Sequence, residues 1–312
     1  MIKVFSGSAH PKFAKKVCEY LNSEVSDMTI KKFKDSEIYV KSNVPVRGDD
    51  VFLIQPTCKP TNENLMELLI MIDAMKRSSV KRINCVIPYY GYSRQDRRIS
   101  AREPITAKLV ANLLTKAGAN RIITVDLHSP QLVGFFDIDV DHFEAYPLFA
   151  KYFKDKNLKD VVAVASDSGF VKKTRKFAKL LEAPLAIIDK RRPKHNVAEV
   201  VNVIGDIKGK TCILLDDMID TGGTIAAGAN ALIQNGAKEV YIAATHGLLN
   251  GDAISKLNNC KAKEIVLTDT VPIPENKRID KLKILSLAEL MAQVIERIHG
   301  HKSLGELFSW EE

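Results

Sequence analysis

The sequence predicts an α/β fold with mainly parallel sheets, and three observations lead to this prediction. Short apolar runs alternate with helical periodicity along the whole chain, which is the pattern of α/β units. One acidic, glycine-rich segment joins an apolar run directly to a helical run, as at the carboxyl end of a parallel strand. A helix, a turn and a strand also recur at a fixed spacing. Two halves with one architecture are therefore expected.

The predicted strands are short apolar runs bounded by polar residues or by glycine. They span residues 51–54, 83–87, 122–125, 161–165, 186–188, 212–215 and 240–244. The clearest helical runs between them are 64–76 and 107–116, and another helix begins near Ile225. Met66, Met71 and Met75 recur at near-helical spacing, which predicts packing in the core rather than contact with a cofactor.

The repeat appears at a spacing of 118 residues. The matched pairs are Thr106 with Thr224, Ala111 with Ala229, Asn112 with Asn230, Leu114 with Leu232, Gly118 with Gly236, Ala119 with Ala237 and His128 with His246. Helix, turn, strand and strand-end histidine thus recur in order, and a domain boundary is expected near residues 140–146. Only the second half contains the acidic, glycine-rich segment.

Composition limits the classes of protein that fit. The chain has 312 residues, 46% of them hydrophobic and 27% charged, as in ordinary globular proteins of about two domains. Its five cysteines are scattered and form no Cys-x-x-Cys pair, which argues against a disulfide framework or a zinc cluster and favours the cytosol. No signal peptide and no run of about 18 apolar residues is present, so a secreted or membrane protein is not expected.

The net charge of +8 raises the question of nucleic-acid binding. The basic residues fall into separate clusters at 31–34, 94–98, 172–176 and 190–194. Small polyphosphate ligands explain separate clusters as well as a nucleic acid does. No nucleic-acid partner is therefore predicted.

The segment 216–224 carries the strongest functional signal, because it joins a predicted strand to the helix that begins near Ile225. Gly222 and Gly223 permit a tight turn. The amides from Asp220 onward can point together at the start of the helix, where the helix dipole favours an anion. The segment therefore predicts a phosphate-binding loop.

The side chains of the same segment indicate what accompanies the phosphate. Thr221 and Thr224 add hydroxyl donors. Asp216 and Asp217 would repel a phosphate, so they are expected to accept hydrogen bonds from neutral vicinal hydroxyls. The combined prediction is a sugar-phosphate site, and the alternative is an acidic strand-end turn with a glycine-rich cap.

Two strand ends carry candidate metal ligands. Asp126 and His128 close the predicted strand 122–125, at the edge where open α/β sheets bind ligands. Asp167 follows the strand 161–165. These groups predict Mg²⁺ bound through few protein groups, water and phosphate oxygens. The alternative for His128 is a hydrogen bond to a loop.

The basic run 190–194 follows a predicted strand and precedes polar residues, which is typical of a mobile loop. Residues two apart face the same way in an extended chain, and Pro193 biases Arg192 toward extended geometry. Lys190 and Arg192 can therefore hold one anion, and the anion site in the same half of the chain favours a catalytic role. A solvated run of charges is the alternative.

Two further segments suit a nucleotide. The run 90–98 follows a strand and combines aromatic rings, guanidinium groups and an amide, a mixture suited to a nucleotide or to RNA. Phe33 offers an aromatic face beside the carboxylates of Asp35 and Glu37, which can hold an adenine and its exocyclic amine. The alternative for this second segment is a plain surface turn.

Taken together, these segments resemble ribose-phosphate pyrophosphokinase, also called phosphoribosyl pyrophosphate synthetase, over nearly the whole chain. The segments that carry the resemblance are 46–51, 64–70, 92–96, 126–128, 134–137, 190–192, 216–224, 245–247 and 303–308. The resemblance implies two similar phosphoribosyltransferase-like domains, each with a mainly parallel central sheet flanked by helices. They are expected at 1–142 and 143–295, with the tail 296–312 packed back on the first.

The resemblance also implies a reaction and its site residues. The family transfers the pyrophosphoryl group of ATP to the anomeric hydroxyl of ribose 5-phosphate, giving phosphoribosyl pyrophosphate and AMP, with Mg²⁺. The implied ATP-binding residues are Phe33, Asp35, Glu37, Arg94 and Gln95. Those implied for ribose 5-phosphate are Asp216, Asp217, Asp220, Thr221, Gly222, Gly223 and Thr224. Mg²⁺ is implied near His128 and Asp167, and the implied catalytic residues are Lys190 and Arg192.

The resemblance also implies oligomers and effectors, and the chain differs from the family pattern at several positions. The family forms homo-oligomers, commonly hexamers, in which the Phe33 loop reaches a neighbouring subunit's ATP site. Many members bind regulatory phosphate or ADP near the tail, where Gly305 replaces a frequent serine. After Asp167, Phe170 replaces a glycine and Lys173 a common arginine. A non-catalytic member that binds nucleotide and regulates partner subunits is the alternative function, and a phosphoribosyltransferase would share the sugar-phosphate loop.

Overall fold

The computed structural model describes residues 1–191 and 200–308. Unit 1 comprises Met1–Glu144, Thr270–Pro272 and Ser286–Glu312, and unit 2 comprises Ala145–Asp269 and Ile273–Leu285. Each of these compact units is built on one central sheet with helices packed against it. The predicted α/β class with mainly parallel sheets is therefore confirmed. Among the described residues, no helix is long and apolar enough to cross a membrane.

Strands and helices alternate along most of the chain. In the first half they are β1 (Ile2–Ser6), α1 (Pro11–Tyr20), β2 (Met28–Lys32), β3 (Ile38–Ser42), β4 (Asp50–Ile54), α2 (Thr61–Arg77), β5 (Arg82–Ile87), α3 (Thr106–Ala117), β6 (Arg121–Val125) and β7 (Asp139–Phe143). In the second half they are α4 (Tyr146–Asp155), β8 (Val161–Ala165), α5 (Val171–Leu181), β9 (Leu185–Arg191), β10 (Val200–Ile204), β11 (Thr211–Ile219), α6 (Gly223–Gln234), β12 (Glu239–Gly247), α7 (Ala253–Asn259), β13 (Glu264–Thr268), β14 (Leu282–Leu285), α8 (Ala288–His299) and α9 (Gly305–Phe308).

Unit 1 is built on a five-stranded sheet in the order β1-β4-β5-β6-β7, in which every pair is parallel. Phe5, Leu53, Cys85 and Ile122 share one register across four strands and are fully buried. Apolar residues of α2 and α3 join the same cluster, while α1 packs against β1 and α8. The nearly continuous apolar runs of the three central strands, β4, β5 and β6, reflect a sheet that is covered on both faces.

Unit 2 is built on a seven-stranded sheet in the order β10-β9-β8-β11-β12-β13-β14. Its described strands are parallel, except that β10 pairs antiparallel with β9. Leu214, Ile242 and Ile265 share one register and pack with apolar residues of α6 and α7. On the opposite face, Tyr241 lies 5.8 Å from Phe153 of α4, measured between ring centroids. Ligands of such open sheets bind at the carboxyl ends of the strands.

Unit 1 departs from the sequence predictions in one core residue and in its strands, since β1 and β7 of the central sheet were not predicted. The antiparallel hairpin of β2 and β3 was not predicted, because its strands are short, polar and only partly buried. Met71 and Met75 are fully buried, but Met66 is 52% exposed, so its assignment to the core is wrong. Met66 precedes Met71 by five positions, which turns its side chain by roughly 140° around the helix, away from the buried stripe.

The internal repeat corresponds to α3 and β6 in unit 1 and to α6 and β12 in unit 2. Gly118, with φ 125°, follows α3, and Gly236, with φ 92°, follows α6. This positive φ ends the helix and turns the chain toward the next strand. The histidines differ, because His128 lies beyond β6 and is exposed, whereas His246 lies inside β12 and is buried. His246 is nevertheless the penultimate residue of β12, so it lies at a strand end as predicted.

A buried ion pair links the last long helix of unit 1 to its sheet. Asp50, at the start of β4, is 3% exposed and accepts hydrogen bonds from Arg82, with the Nε to Oδ1 distance at 2.6 Å. His299, at the end of α8, places Nδ1 2.7 Å from the other carboxylate oxygen. The hydrogen bond from Arg82 is the main reason that the pKa of Asp50 is lowered to about 2. The contact between His299 and Asp50 therefore fastens α8 to the amino-terminal edge of the sheet.

Candidate active site

The acid pair predicted to bind a sugar lies within the carboxyl end of β11. The sequence prediction ended this strand at Leu215, but its pairing with β12 continues to Ile219, so Asp216 and Asp217 are strand residues. Asp217 is buried and Asp216 is partly buried. The backbone amide of Asp217 donates to Oδ1 of Asp216 at 2.9 Å. The sheet therefore fixes both acids directly, without an intervening loop.

The electrostatics of the acid pair suit neutral donors. Burial raises the pKa of Asp216 well above its ordinary value, and the charge of Asp217 raises it further. Asp167 acts in the same direction, so three acids of unit 2 lie close enough to interact. Sugar hydroxyls or a cation are favoured beside such a group, and an anion is not.

The glycine loop that follows the acids turns at one residue. Gly222 has φ 72° and immediately precedes α6. A Cβ on Gly222 would lie 3.2 Å from both Cα and the carbonyl oxygen of Ala253, whereas a Cβ on Gly223 would meet open space. Only Gly222 is therefore required by the turn, and the expectation that both glycines shape it is wrong for Gly223. Helix α6 also begins at Gly223, two residues before the predicted start.

The first turn of α6 supplies the expected amide donors. The first bond within the helix runs from the Ala226 amide to the Gly222 carbonyl at 3.0 Å. The amides of Gly223, Thr224 and Ile225 precede that bond and are available to an anion. The side chains of Thr221 and Thr224 are exposed beside them. The predicted amides and hydroxyls are thus grouped at the start of one helix.

A segment that sequence reasoning missed braces this loop from the end of β12. Asn250 donates from Nδ2 to Oδ1 of Asp220 at 2.7 Å. The amides of Leu248 and Leu249 both donate to the carbonyl of Ile219, at 3.0 and 3.1 Å. The only signal in the sequence was the pair Asn250-Gly251, which is typical of a turn.

The basic run predicted to be a loop begins as a strand. Lys190 and Arg191 are the last residues of β9 and pair with Val201 and Val200 of β10. The prediction that the loop starts at Lys190 is therefore wrong by two residues. Arg192 lies outside the described residues.

Asp167 lies in the turn between β8 and α5, and its side chain is exposed. Its Oδ1 accepts the amide of Phe170, the residue just before α5, at 3.0 Å. Nζ of Lys173 lies 5.3 Å from the centroid of the Phe170 ring, within cation–π range. The two departures from the family pattern therefore contact each other on the first turn of α5.

In unit 1, the turn after β6 carries the other predicted metal ligand. Asp126 is buried and has φ 41°, in the left-handed region. Leu127 donates its amide to Nε2 of His142, on β7, at 3.0 Å. His142 was not singled out from the sequence. His128 is exposed at the end of this turn.

Arg94 and Gln95 lie in the long connection after β5, and both are exposed. The Gln95 amide donates to the carbonyl of Tyr92 at 2.9 Å, and Oε1 of Gln95 accepts the hydroxyl of Thr106 at 2.5 Å. Thr57 supports the turn from below, because its buried Oγ1 accepts the Gly91 amide at 2.7 Å. Hydrogen bonds to the body of unit 1 thus shape the connection, and Thr57 was missed in the sequence.

Phe33, Asp35 and Glu37 form the tip of the β2–β3 hairpin. The Phe33 amide donates to the Glu37 carbonyl at 2.8 Å, and Oδ1 of Asp35 accepts the Glu37 amide at 3.1 Å. The Phe33 ring is 56% exposed and meets Tyr39 edge to face, with 6.2 Å between ring centroids. The tip is therefore an ordered turn that presents an exposed aromatic ring.

No group of three or more His, Cys, Asp or Glu side chains is arranged around a common metal position within residues 1–191 and 200–308. The predicted ligands sit at strand ends of different units, His128 in unit 1 and Asp167 in unit 2. The five cysteines are all buried and make no disulfide. Burial raises the pKa of the Cys58 and Cys212 thiols to about 11, so they stay protonated at neutral pH.

Two family profiles match the chain. One, described as the N-terminal domain of ribose phosphate pyrophosphokinase, matches residues 2–118. The other, described as the phosphoribosyl synthetase-associated domain, matches residues 191–309. The first match lies in the N-terminal half of the chain and the second in the C-terminal half.

Curated proteins and a solved structure are similar over almost the full length. The ribose-phosphate pyrophosphokinase of Caldanaerobacter subterraneus subsp. tengcongensis is 56% identical over 309 residues, covering 99% of this chain and 98% of the relative. That of Bacillus subtilis is 51% identical, covering 99% and 97%. The crystal structure of phosphoribosylpyrophosphate synthetase from Mycobacterium smegmatis has a TM-score of 0.91 at 47% identity, covering 96% of this chain and 99% of that one.

Proposed function

The chain belongs to the ribose-phosphate pyrophosphokinase family, and we propose that it binds the sugar phosphate in unit 2 and the nucleotide in unit 1. It transfers the pyrophosphoryl group of ATP to the anomeric hydroxyl of ribose 5-phosphate, giving phosphoribosyl pyrophosphate and AMP. One observation carries the proposed sugar site: an acid pair, the left-handed Gly222 and the first-turn amides of α6 follow one another in the segment 216–224.

Ribose 5-phosphate is proposed to bind with its vicinal hydroxyls on Asp216 and Asp217. The groups proposed for its phosphate are the backbone amides of Asp220, Thr221, Gly222, Gly223 and Thr224 and the hydroxyls of the two threonines. The high pKa of Asp216 and the grouped amides of α6 support this division. Because acids bind one part of the sugar and amides the other, one short segment can fix the direction of the anomeric hydroxyl.

ATP is proposed to bind to the exposed groups of unit 1. The residues proposed are Phe33, Asp35, Glu37, Arg94 and Gln95. An exposed ring suits stacking on adenine, carboxylates can accept its exocyclic amine, and a guanidinium group suits phosphate. Their exposure and the hydrogen bonds that hold the two turns support these roles.

In the reaction, the anomeric oxygen forms a bond to the β-phosphorus. The bond from that phosphorus to the oxygen shared with the α-phosphate breaks, AMP leaves, and the hydroxyl proton is released. Positioning and charge neutralisation carry most of such a transfer. Lys190 and Arg192 are proposed to stabilise charge on the phosphate oxygens. The location of Lys190 at the end of β9, in the unit with the sugar loop, supports this role.

Mg²⁺ is proposed to bind beside Asp167 in unit 2 and beside His128 in unit 1. The exposed Asp167 carboxylate offers the hard oxygen donors that this cation prefers, and one of its oxygens already accepts an amide. The exposed His128 imidazole supplies a nitrogen donor at a strand end. When bound, Mg²⁺ neutralises phosphate charge and favours in-line attack.

The domains are proposed as residues 1–142 and 143–295, with the tail 296–312 on the first. The break between the two units at Glu144 and Ala145 supports the first boundary, whereas residues 286–295 belong to unit 1. Self-association, as a hexamer, is proposed with the Phe33 hairpin tip reaching the ATP site of a neighbouring subunit. The 56% exposure of the Phe33 ring supports that role.

The tail is proposed as the binding region for a phosphate or ADP effector. Arg297, Lys302 and Ser303 line one depression there, and Arg297 donates to the carbonyl of Ser303 at 2.8 Å. A cytoplasmic location is also proposed, and the five buried cysteines without a disulfide support it.

Release of AMP from ATP and Mg²⁺, measured with and without ribose 5-phosphate, tests the function. AMP release that requires ribose 5-phosphate and matches phosphoribosyl pyrophosphate one to one is expected. Binding of both substrates without AMP release would instead identify a non-catalytic member of the family. The sugar site is tested by Thr224→Val, which should raise the KM for ribose 5-phosphate and leave the KM for ATP unchanged.

A further inference from the structure

The segment after β12 forms hydrogen bonds to two consecutive residues, Ile219 and Asp220, at the start of the proposed phosphate loop. Asn250 donates its side-chain amide to Oδ1 of Asp220 at 2.7 Å and its backbone amide to the Asp220 carbonyl at 2.8 Å. The amides of Leu248 and Leu249 donate to the carbonyl of Ile219. The side chain of Asn250 itself forms a hydrogen bond to the loop, so it can influence the loop beyond backbone pairing.

The backbone on both sides of Asn250 adopts left-handed conformations beside the loop. Leu249 has φ 49° and Gly251 has φ 55°, so the chain turns through left-handed conformations on both sides of Asn250. Such a conformation is costly for leucine and persists where surrounding contacts fix it. Two residues later, Ala253 lies so close to Gly222 that a Cβ there would approach within 3.2 Å. The loop is therefore closely packed on the side that faces α7.

The carboxylate of Asp220 presents an electrostatic problem for a phosphate site. It lies one residue before Thr221 and three before the first residue of α6. A carboxylate turned toward the first-turn amides would compete with the phosphate for the same donors and repel it. The contact with Asn250 directs one carboxylate oxygen toward the turn after β12 and partly compensates its charge.

We propose that Asn250 is a positioning residue for ribose 5-phosphate, which acts by holding the Asp220 carboxylate away from the phosphate. This inference rests on the proposed assignment of the segment 216–224 to the sugar phosphate. Asn250 touches no reacting atom in this scheme. It sets the charge and the shape of the loop before the sugar phosphate arrives.

The test replaces the donor without changing the shape of the side chain. Asn250→Asp removes both amide protons and sets a second carboxylate against Asp220, so the KM for ribose 5-phosphate should rise about tenfold. Asn250→Ala should raise it by a smaller factor, about threefold. Neither substitution should change the KM for ATP, because the ATP residues are proposed in unit 1. In ligand-free Asn250→Asp, amide hydrogen exchange of a peptide covering 216–224 should be faster than in the wild type.

Asn235→Asp is the matched control, since Asn235 also belongs to unit 2 and donates to the Ala231 carbonyl at 2.8 Å, at the other end of α6. It should keep the wild-type KM for both substrates. Wild-type KM values for ribose 5-phosphate in both Asn250 variants would overturn the inference, as would equal rises for both substrates. If Asn250→Asp does not fold, Asn250→Ala carries the same comparison.

Thr224→Val separates this inference from the site assignment. If Thr224→Val raises the KM for ribose 5-phosphate and the Asn250 variants do not, the loop is the site and Asn250 has no positioning role. If Thr224→Val also leaves that KM unchanged, the assignment of the loop to the sugar phosphate is itself wrong.

Discussion

The loop after β11 and the proposed nucleotide-binding segments of unit 1 are built in different ways. Backbone elements position the groups of the loop. Its acids lie on strand β11, Gly222 makes the turn in a left-handed conformation, and the first turn of α6 supplies the amides. The segments of unit 1 instead present the exposed side chains of Phe33, Arg94 and Gln95 from turns that are hydrogen-bonded beneath them. Ribose 5-phosphate should therefore meet a preformed site, whereas ATP should need further contacts to cover its base.

The largest expected effect concerns residues outside both of these regions. Lys190→Ala and Arg192→Ala should each lower kcat by about a hundredfold or more, because they remove charge stabilisation in the transition state. Circular dichroism should show the wild-type fold. Lys194→Ala, in the same basic run, is the control and should retain most activity. Wild-type rates in the first two variants would remove both residues from the mechanism.

Asp50 and Asp216 show how an acid in a structural ion pair differs from an acid in the proposed sugar site. The pKa of Asp50 is lowered to about 2, chiefly by Arg82, whereas burial raises that of Asp216. An acid with a lowered pKa stabilises the fold above its unfolded-state pKa and loses that contribution as pH falls. Between about pH 4 and pH 2, the free energy of unfolding of the wild type should therefore fall by about 2 kcal/mol more than that of Asp50→Asn, which has no carboxyl group to titrate at this position.

Denaturant unfolding of both proteins at several pH values measures this difference. The gap between the free energies of unfolding of wild type and Asp50→Asn should close as pH falls through this window. A gap that stays constant down to pH 2 would show that the ion pair with Arg82 does not lower the pKa of Asp50.

An aromatic deletion tests the side-chain nature of the nucleotide site. Phe33→Ala should raise the KM for ATP about tenfold, since stacking of a base on an aromatic ring is worth about 1–3 kcal/mol. The KM for ribose 5-phosphate should not change. Tyr20→Ala removes another exposed ring of unit 1, at the end of α1, and is the control. Equal KM values for ATP in Phe33→Ala and wild type would show that the hairpin tip does not hold the base.

A pair of glycine substitutions tests whether the backbone shapes the proposed sugar-phosphate loop. Gly222→Ala should lower the free energy of unfolding by about 1 kcal/mol, because alanine disfavours φ 72° and its Cβ would crowd Ala253. Gly223→Ala should leave the free energy of unfolding unchanged or slightly raised, since it sits in a helix with open space around it. Equal loss of stability in both variants would contradict the assignment of the turn to Gly222.

Sequence reasoning succeeded where one short segment contains the whole signal. The predicted strands are apolar runs within the central strands β4, β5, β6, β8, β9, β11 and β12, and the acids, glycines and threonines of 216–224 adjoin one another. It failed where a contact depends on a distant segment. Asn250 meets Asp220 because β12 lies beside β11, and Thr57 meets Gly91 because β4 lies beside β5. Local patterns alone do not contain these pairings.

The end of β11 and the β2–β3 hairpin were not predicted correctly, for a related reason. β11 extends past Leu215 because β12 continues to pair with it, although the acids that follow Leu215 are poor strand formers. The hairpin of β2 and β3 was missed because only its inner residues are partly buried. Tertiary pairing outweighed local propensity in both cases.

The most direct test of a preformed sugar-phosphate site is hydrogen exchange of the peptide covering 216–224 with ribose 5-phosphate alone. Without ATP or Mg²⁺, saturating ribose 5-phosphate should slow the exchange of this peptide and leave a peptide covering 92–98 unchanged. Unchanged exchange at 216–224, or protection only at 92–98, would contradict a site formed by the backbone of unit 2.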